Sequence, residues 1–153
     1  MKRIIKSLNS MSFSLPEGWD VVSDKYNIMN GQGFINTENY LSQSGKVISL
    51  FEIHRAPDEF FEYYQNLVES FSEKDQVVLE REFSLKFGEY TFPTYILKGT
   101  KEPLIYIVQT FVNCGDKLAC FMFNIEAVSE NNKKLIAENQ HFIDLTKILR
   151  TIE

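Results

Sequence analysis

The chain has 153 residues, enough for one domain (1–153) with a substantial core and too few for two, and its 44% hydrophobic and 24% charged content is that of an ordinary folded protein. A net charge of −5, with no basic cluster beyond Lys2, Arg3 and Lys6, argues against nucleic-acid binding. No apolar run approaches the roughly 20 residues that cross a bilayer, and Lys6, Asn9 and Ser10 interrupt the N-terminal stretch before it makes an export signal, so a cytoplasmic location without membrane insertion is expected.

Ser12-Phe13-Ser14-Leu15 alternates and ends at Pro16-Glu17-Gly18, after which Trp19-Asp20-Val21-Val22 restarts an extended pattern: strand, turn, strand. The stretch 27–45 is rich in Asn, Gly, Ser and Gln, with a bend expected at Gly31-Gln32-Gly33 and only a short strand at Phe34-Ile35. Lys46 to His54 reads as a strand, stopped by Arg55-Ala56-Pro57. Pro57 pre-sets a helical φ, and Asp58 and Glu59 put negative charge in the first turn, where the backbone dipole favours it. Phe60, Tyr64, Leu67, Val68 and Phe71 then recur at helical spacing, predicting a helix over 57–73.

From Val77 to Phe87 apolar residues alternate with Glu80, Glu82, Ser84 and Lys86, predicting a strand with one solvated face, and Gly88-Glu89 turns the chain into a strand at 91–98. Beyond residue 126, a loop or helix start is expected at 129–132. A closing amphipathic helix is marked by Phe142, Leu145, Leu149 and Ile152. Short-turned neighbouring strands with two main helices give an α+β class: an antiparallel sheet packed with two helices.

Residues 104–126 are the most informative segment, because they read as a hairpin that is apolar on both faces, whereas a half-buried strand alternates apolar with polar. A two-residue turn at Gly115-Asp116 pairs Lys117 with Cys114 and fixes the register. One face is then Tyr106, Val108, Thr110 and Val112 with Ala119, Phe121, Phe123 and Ile125, which reads as core. The other is Ile105, Ile107, Gln109 and Phe111 with Cys120, Met122 and Asn124, an apolar floor with two amides set in it. Either this floor packs beneath the terminal helix, with Gln109 and Asn124 bonded to each other or to backbone, or it stays open as a groove for something hydrophobic. Cys114 and Cys120 are not opposite one another in this register and are expected to be reduced.

The chemistry of the remaining residues is thin. His54 and His141 lie in no metal-ligand spacing, the paired Gly residues at 31 and 33 lack the setting of a nucleotide loop, and no nucleophile motif is present. Glu80 and Glu82 would share a strand face, but flanking Arg81 they read as a solvated face rather than an acid–base pair. No catalysis, metal or cofactor is expected.

Several short motifs carry a resemblance: Phe13-Ser14-Leu15-Pro16-Glu17-Gly18-Trp19, the Pro57-led helix, Leu79-Glu80-Arg81-Glu82-Phe83 ending in Phe87-Gly88-Glu89-Tyr90, Gln109-Thr110-Phe111-Val112, and the terminal Phe142-Ile143-Asp144-Leu145-Thr146-Lys147-Ile148-Leu149. Together they resemble the PsbP/Mog-like superfamily, an α/β/α sandwich, and within it the small cytoplasmic Eag-type chaperones of type VI secretion effectors. That resemblance implies a non-enzymatic homodimer whose sheet and long helix cradle the hydrophobic transmembrane helices of an effector. It makes Gln109 and His54 polar contacts. Together with the hairpin reading, Asn124 is expected as a further polar contact and Ile105, Ile107, Phe111 and Met122 as an apolar bed. Phe60, Tyr64, Leu67 and Phe71 read first as core, with Leu67 or Tyr64 as the candidates for a groove edge. His54 departs from the small polar residue usual near its position. The competing expectation, motivated by the −5 charge and the Glu-rich helix, is an immunity protein that neutralises a soluble toxin domain through an acidic surface.

Overall fold

The computed structural model describes residues 2–5, 11–22, 34–53, 58–62, 64, 66, 77–100, 105–114, 118–126 and 139–153. The bend at Gly31-Gln32-Gly33, His54, Pro57, the helix beyond residue 66 with Leu67, Val68 and Phe71, the Gly115-Asp116 turn and the segment 129–132 lie outside these residues.

The elements run β1 (Lys2–Ile5), β2 (Ser12–Leu15), β3 (Trp19–Val22), β4 (Phe34–Ser42), β5 (Val47–Ile53), helical residues 58–62, 64 and 66 (α1), β6 (Val77–Phe87), β7 (Tyr90–Gly99), β8 (Ile105–Asn113), β9 (Leu118–Glu126) and α2 (Gln140–Leu149). Seven strands form one antiparallel sheet in the order β3-β4-β5-β9-β8-β7-β6, and β1 pairs with β2 in a separate ribbon. The hairpin β8–β9 occupies the inside of the sheet, which is why both of its faces are apolar: each has a layer against it. Its register is the one the turn position dictates, with Gln109 opposite Met122 and Ile107 opposite Asn124.

On one face, Tyr106, Val108, Phe121, Phe123 and Ile125 meet Phe13 and Leu15 of β2 and Leu145, Ile148 and Leu149 of α2 in a large buried cluster. Phe13 sits edge-on to Tyr40 and Phe121 at 5.8 and 5.3 Å, a favoured arrangement for the ring quadrupoles. Trp19 Nε1 donates to Asp144 Oδ2 at 2.8 Å and ties β3 to α2. The C-terminal end is stitched to β2, where Glu153 N donates to Ser12 O at 2.9 Å and Ser14 N to Thr151 Oγ1 at 2.8 Å. α2 itself begins with Asn139, whose side chain accepts from His141 N and so caps an otherwise unpaired backbone donor. The opposite face holds the second cluster: Phe51, Ile53, Leu97, Phe111, Leu118, Cys120 and Met122 under Phe60 and Tyr64 of α1. The two helices therefore cover opposite faces.

Four sequence expectations are corrected. β4 is nine residues long, not a short strand at Phe34-Ile35. Its centre is polar, and a register shift between Asn36 and Glu38 breaks the alternation that would have revealed it. The segment Lys2–Ile5, considered only as a leader-like stretch, is the strand β1. In β6 a second register shift, between Leu79 and Arg81, reverses which residues face which side. Leu79 joins the α1-face cluster, whereas Phe83, Leu85 and Phe87 pack against the α2-face cluster, so no single face of β6 is solvated. For the same reason Glu80 and Glu82 do not share a face: Glu82 pairs with Tyr95, whereas Glu80 acts electrostatically on Tyr106 of the other side.

Candidate functional site

The floor of the hairpin lies on the α1 face, and the pairing places its amide in a wider arrangement. Asn39, Ser49, Met122, Gln109, Tyr95 and Glu82 are successive register partners across β4, β5, β9, β8, β7 and β6. They form one row that runs across six strands and is polar except at Met122. Ser49 Oγ donates to Asn39 Oδ1 at 2.7 Å, and both residues are 1% exposed. Gln109 Nε2 reaches Met122 Sδ at 3.5 Å, and Gln109 Oε1 accepts from the Tyr64 hydroxyl of α1. Tyr64 in turn packs on Tyr95, ring centroids 4.5 Å apart. Burial, then the nearby Cys120, Tyr95 and Glu82, raise the Tyr64 pKa, so the phenol stays protonated and remains a donor.

This row divides the face. On the side toward Phe111 the surface is closed: Phe60, Phe61, Tyr64 and Tyr95 surround Phe111 at centroid distances of 5.2 to 5.6 Å. On the other side the next row is Leu79, Leu97, Ile107 and Asn124. Leu97 is buried, Leu79 and Ile107 are half-buried, and Asn124 is exposed. Ile105 follows one step further out and is 37% exposed. The result is an apolar strip that opens toward the Ile105 end, bordered by a row that is buried at Gln109 and Met122, half-buried at Tyr95 and exposed at Glu82.

The anticipated site residues thus separate. Ile105, Ile107 and Asn124 lie together on the open strip, with Met122 buried in the adjoining row. Gln109 is buried and bonded to Tyr64 and Met122, not to Asn124 or to backbone as the closed reading had it. Phe111 is fully buried beneath α1, so in this conformation it builds the floor without forming part of the open surface. The cover over the floor is α1, not the terminal helix, because the strand parity sends α2 to the other face. His54 and Leu67 lie outside the described residues. Sequence reasoning missed Asn39, Ser49 and Tyr95. Asn39 is hidden in a polar stretch, and only strand pairing brings it beside Ser49.

Among the described residues no group of three or more His, Cys, Asp or Glu side chains is placed to hold a metal ion. Cys114 and Cys120 are thiols, not disulfide partners, and burial pushes both pKa values up, which leaves them protonated and poorly nucleophilic. Among the described residues no helix is long and apolar enough to cross a membrane.

No protein-family model matches the sequence, and no curated protein matches it significantly. Solved structures do. A solution structure of cyanobacterial PsbP (CyanoP) from Synechocystis sp. PCC 6803 superposes with a TM-score of 0.60 at 12% identity, covering 99% of this chain and 91% of that one. The Saccharomyces cerevisiae Ran-binding protein Mog1p gives 0.58 at 9% identity over 99% and 94%. A crystal structure from Bacteroides thetaiotaomicron VPI-5482 gives 0.53 at 11% identity; it covers 99% of this chain, which spans only 47% of that protein. The chain has the PsbP/Mog-like α+β fold.

Proposed function

We propose that the protein is a non-enzymatic chaperone or adaptor that holds hydrophobic helices of a secreted effector on its α1 face. The observation that carries this reading is the half-exposed apolar strip of Leu79, Ile105 and Ile107 lying beside the polar row of Gln109, Tyr95 and Glu82. Burying apolar area supplies affinity at about 25 cal/mol per Å² before the cost of association is subtracted. Asn124, exposed on the strip, offers an amide to orient the bound helix. The sequence resemblance to Eag-type proteins supports the narrower form of the proposal: a cytoplasmic homodimer that shields the transmembrane helices of a type VI secretion effector. The fold has a binding protein among its members in the yeast Ran-binding protein.

The test is to express the tagged protein in its native host, purify it without detergent and identify what is retained by mass spectrometry. A large protein retained through an N-terminal segment with hydrophobic helices is the expected result. Retention of a soluble toxin domain alone, released by salt, overturns it in favour of an immunity protein.

A further inference from the structure

β5 and β9 are sheet neighbours, yet they pair only over Ser49–Ile53 and Leu118–Met122. β5 starts at Val47 and β9 continues to Glu126, so below that point the strands diverge with no ladder between them. A cavity of about 270 Å³ opens at the divergence, lined by Gly45, Lys46, Val47, Met122, Phe123, Asn124 and His141. Among the described lining residues Lys46 contributes an ammonium and Asn124 an amide, and none carries a carboxylate.

His141 is the second observation. It is 7% exposed, stacks on Phe123 at 4.9 Å, and its Nε2 is buried without a hydrogen-bond partner. An unpaired buried ring nitrogen is destabilising, and that cost is removed when a ligand bonds to it. Neutral imidazole can carry its proton on Nε2 and donate there. The surrounding charges are assigned: Asp144, the carboxylate nearest on α2, is occupied by Trp19 Nε1, Gln140 Nε2 at 2.9 Å and Lys147 at 3.7 Å. Among the described residues Lys46 has no ion-pair partner, and it acts electrostatically on His141.

We propose that this cavity is a carboxylate-binding site, in which the Lys46 ammonium neutralises the ligand and His141 Nε2 hydrogen-bonds it. The site stands independently of the chaperone reading, since it is built from the rim of the sheet and the start of α2 and not from the apolar strip. At this volume it holds a small acid or a single acidic side chain, below the roughly 300 Å³ at which cavities for larger ligands begin.

The experiment is an NMR titration of the full chain with sodium acetate, following the His141 ring resonances, repeated with N-acetyl-glutamate amide, whose only carboxylate is the side-chain one. A saturable shift of His141 that weakens about tenfold or more in Lys46→Met and recovers in Lys46→Arg is expected, with the circular dichroism of both variants unchanged. Tighter binding of the blocked glutamate assigns the carboxylate to a peptide, and tighter binding of acetate assigns it to a free small acid. No saturable shift with either probe, or equal affinity in Lys46→Met, overturns the proposal.

Discussion

The two faces of the β8–β9 hairpin are built from alternate residues of the same strands and have opposite fates. On the α2 face, Tyr106, Val108, Phe121 and Phe123 are almost completely buried by β2 and α2, and the buried hydroxyls of Thr94 and Thr110 bond each other at 3.1 Å. On the α1 face, beyond the polar row, Leu97 is buried but Leu79, Ile107 and Ile105 are only partly covered. The lesson is that apolar alternation reports which side chains leave water in some state of the protein, not whether this chain alone covers them. On the α1 face the strip beyond the polar row stays partly exposed to solvent.

The contrast can be broken in graded steps. The largest effect belongs to the closed face: Phe121→Ala removes a fully buried ring edge-on to Phe13 and should cost about 3–5 kcal/mol in chemical denaturation. Tyr64→Phe keeps the ring but leaves Gln109 Oε1 buried without its donor, so about 1–3 kcal/mol is expected. Ser49→Ala removes the hydroxyl bonded to Asn39 and should cost about 1 kcal/mol in the same assay. Smallest at neutral pH is the contribution of His141. Burial, reinforced by Lys46 and opposed by Asp144, lowers its pKa from 6.5 to about 4 in the folded chain. Between those values the unfolded state binds more protons, so stability is retained above pH 6.5 and declines as the pH falls toward 4. His141→Phe should flatten that part of the dependence of the unfolding midpoint on pH.

Much of this contrast was legible in the sequence, and the illegible parts share a cause. The hairpin register followed from counting outward from one glycine-led turn, and Phe60 and Tyr64 lay on the expected inner side of a helix. β4 was obscured because its polar residues carry bonds that alternation does not show: Asn39 accepts from Ser49 of β5, and Glu38 accepts from Tyr40 within β4 at 3.0 Å. The β6 shift was invisible because a bulge leaves the apolar spacing unchanged while reversing its direction. The polar row needed five strand pairings at once, of which that of β8 with β9 followed from the turn, whereas β5 with β9 joins strands far apart in the chain that no local pattern links.

Neighbouring residues Ile107 and Val108 point to opposite faces and allow the most direct test of the account. Glutamate is placed at each position in turn, and both the urea unfolding midpoint and the retained partner are measured. Val108→Glu should fail to fold, because its side chain is fully buried in the α2-face core. Ile107→Glu should keep the wild-type midpoint within a few tenths of a molar and lose the partner. Equal loss of folding in the two variants, or full retention of the partner by Ile107→Glu, would contradict an interaction role for the α1 face.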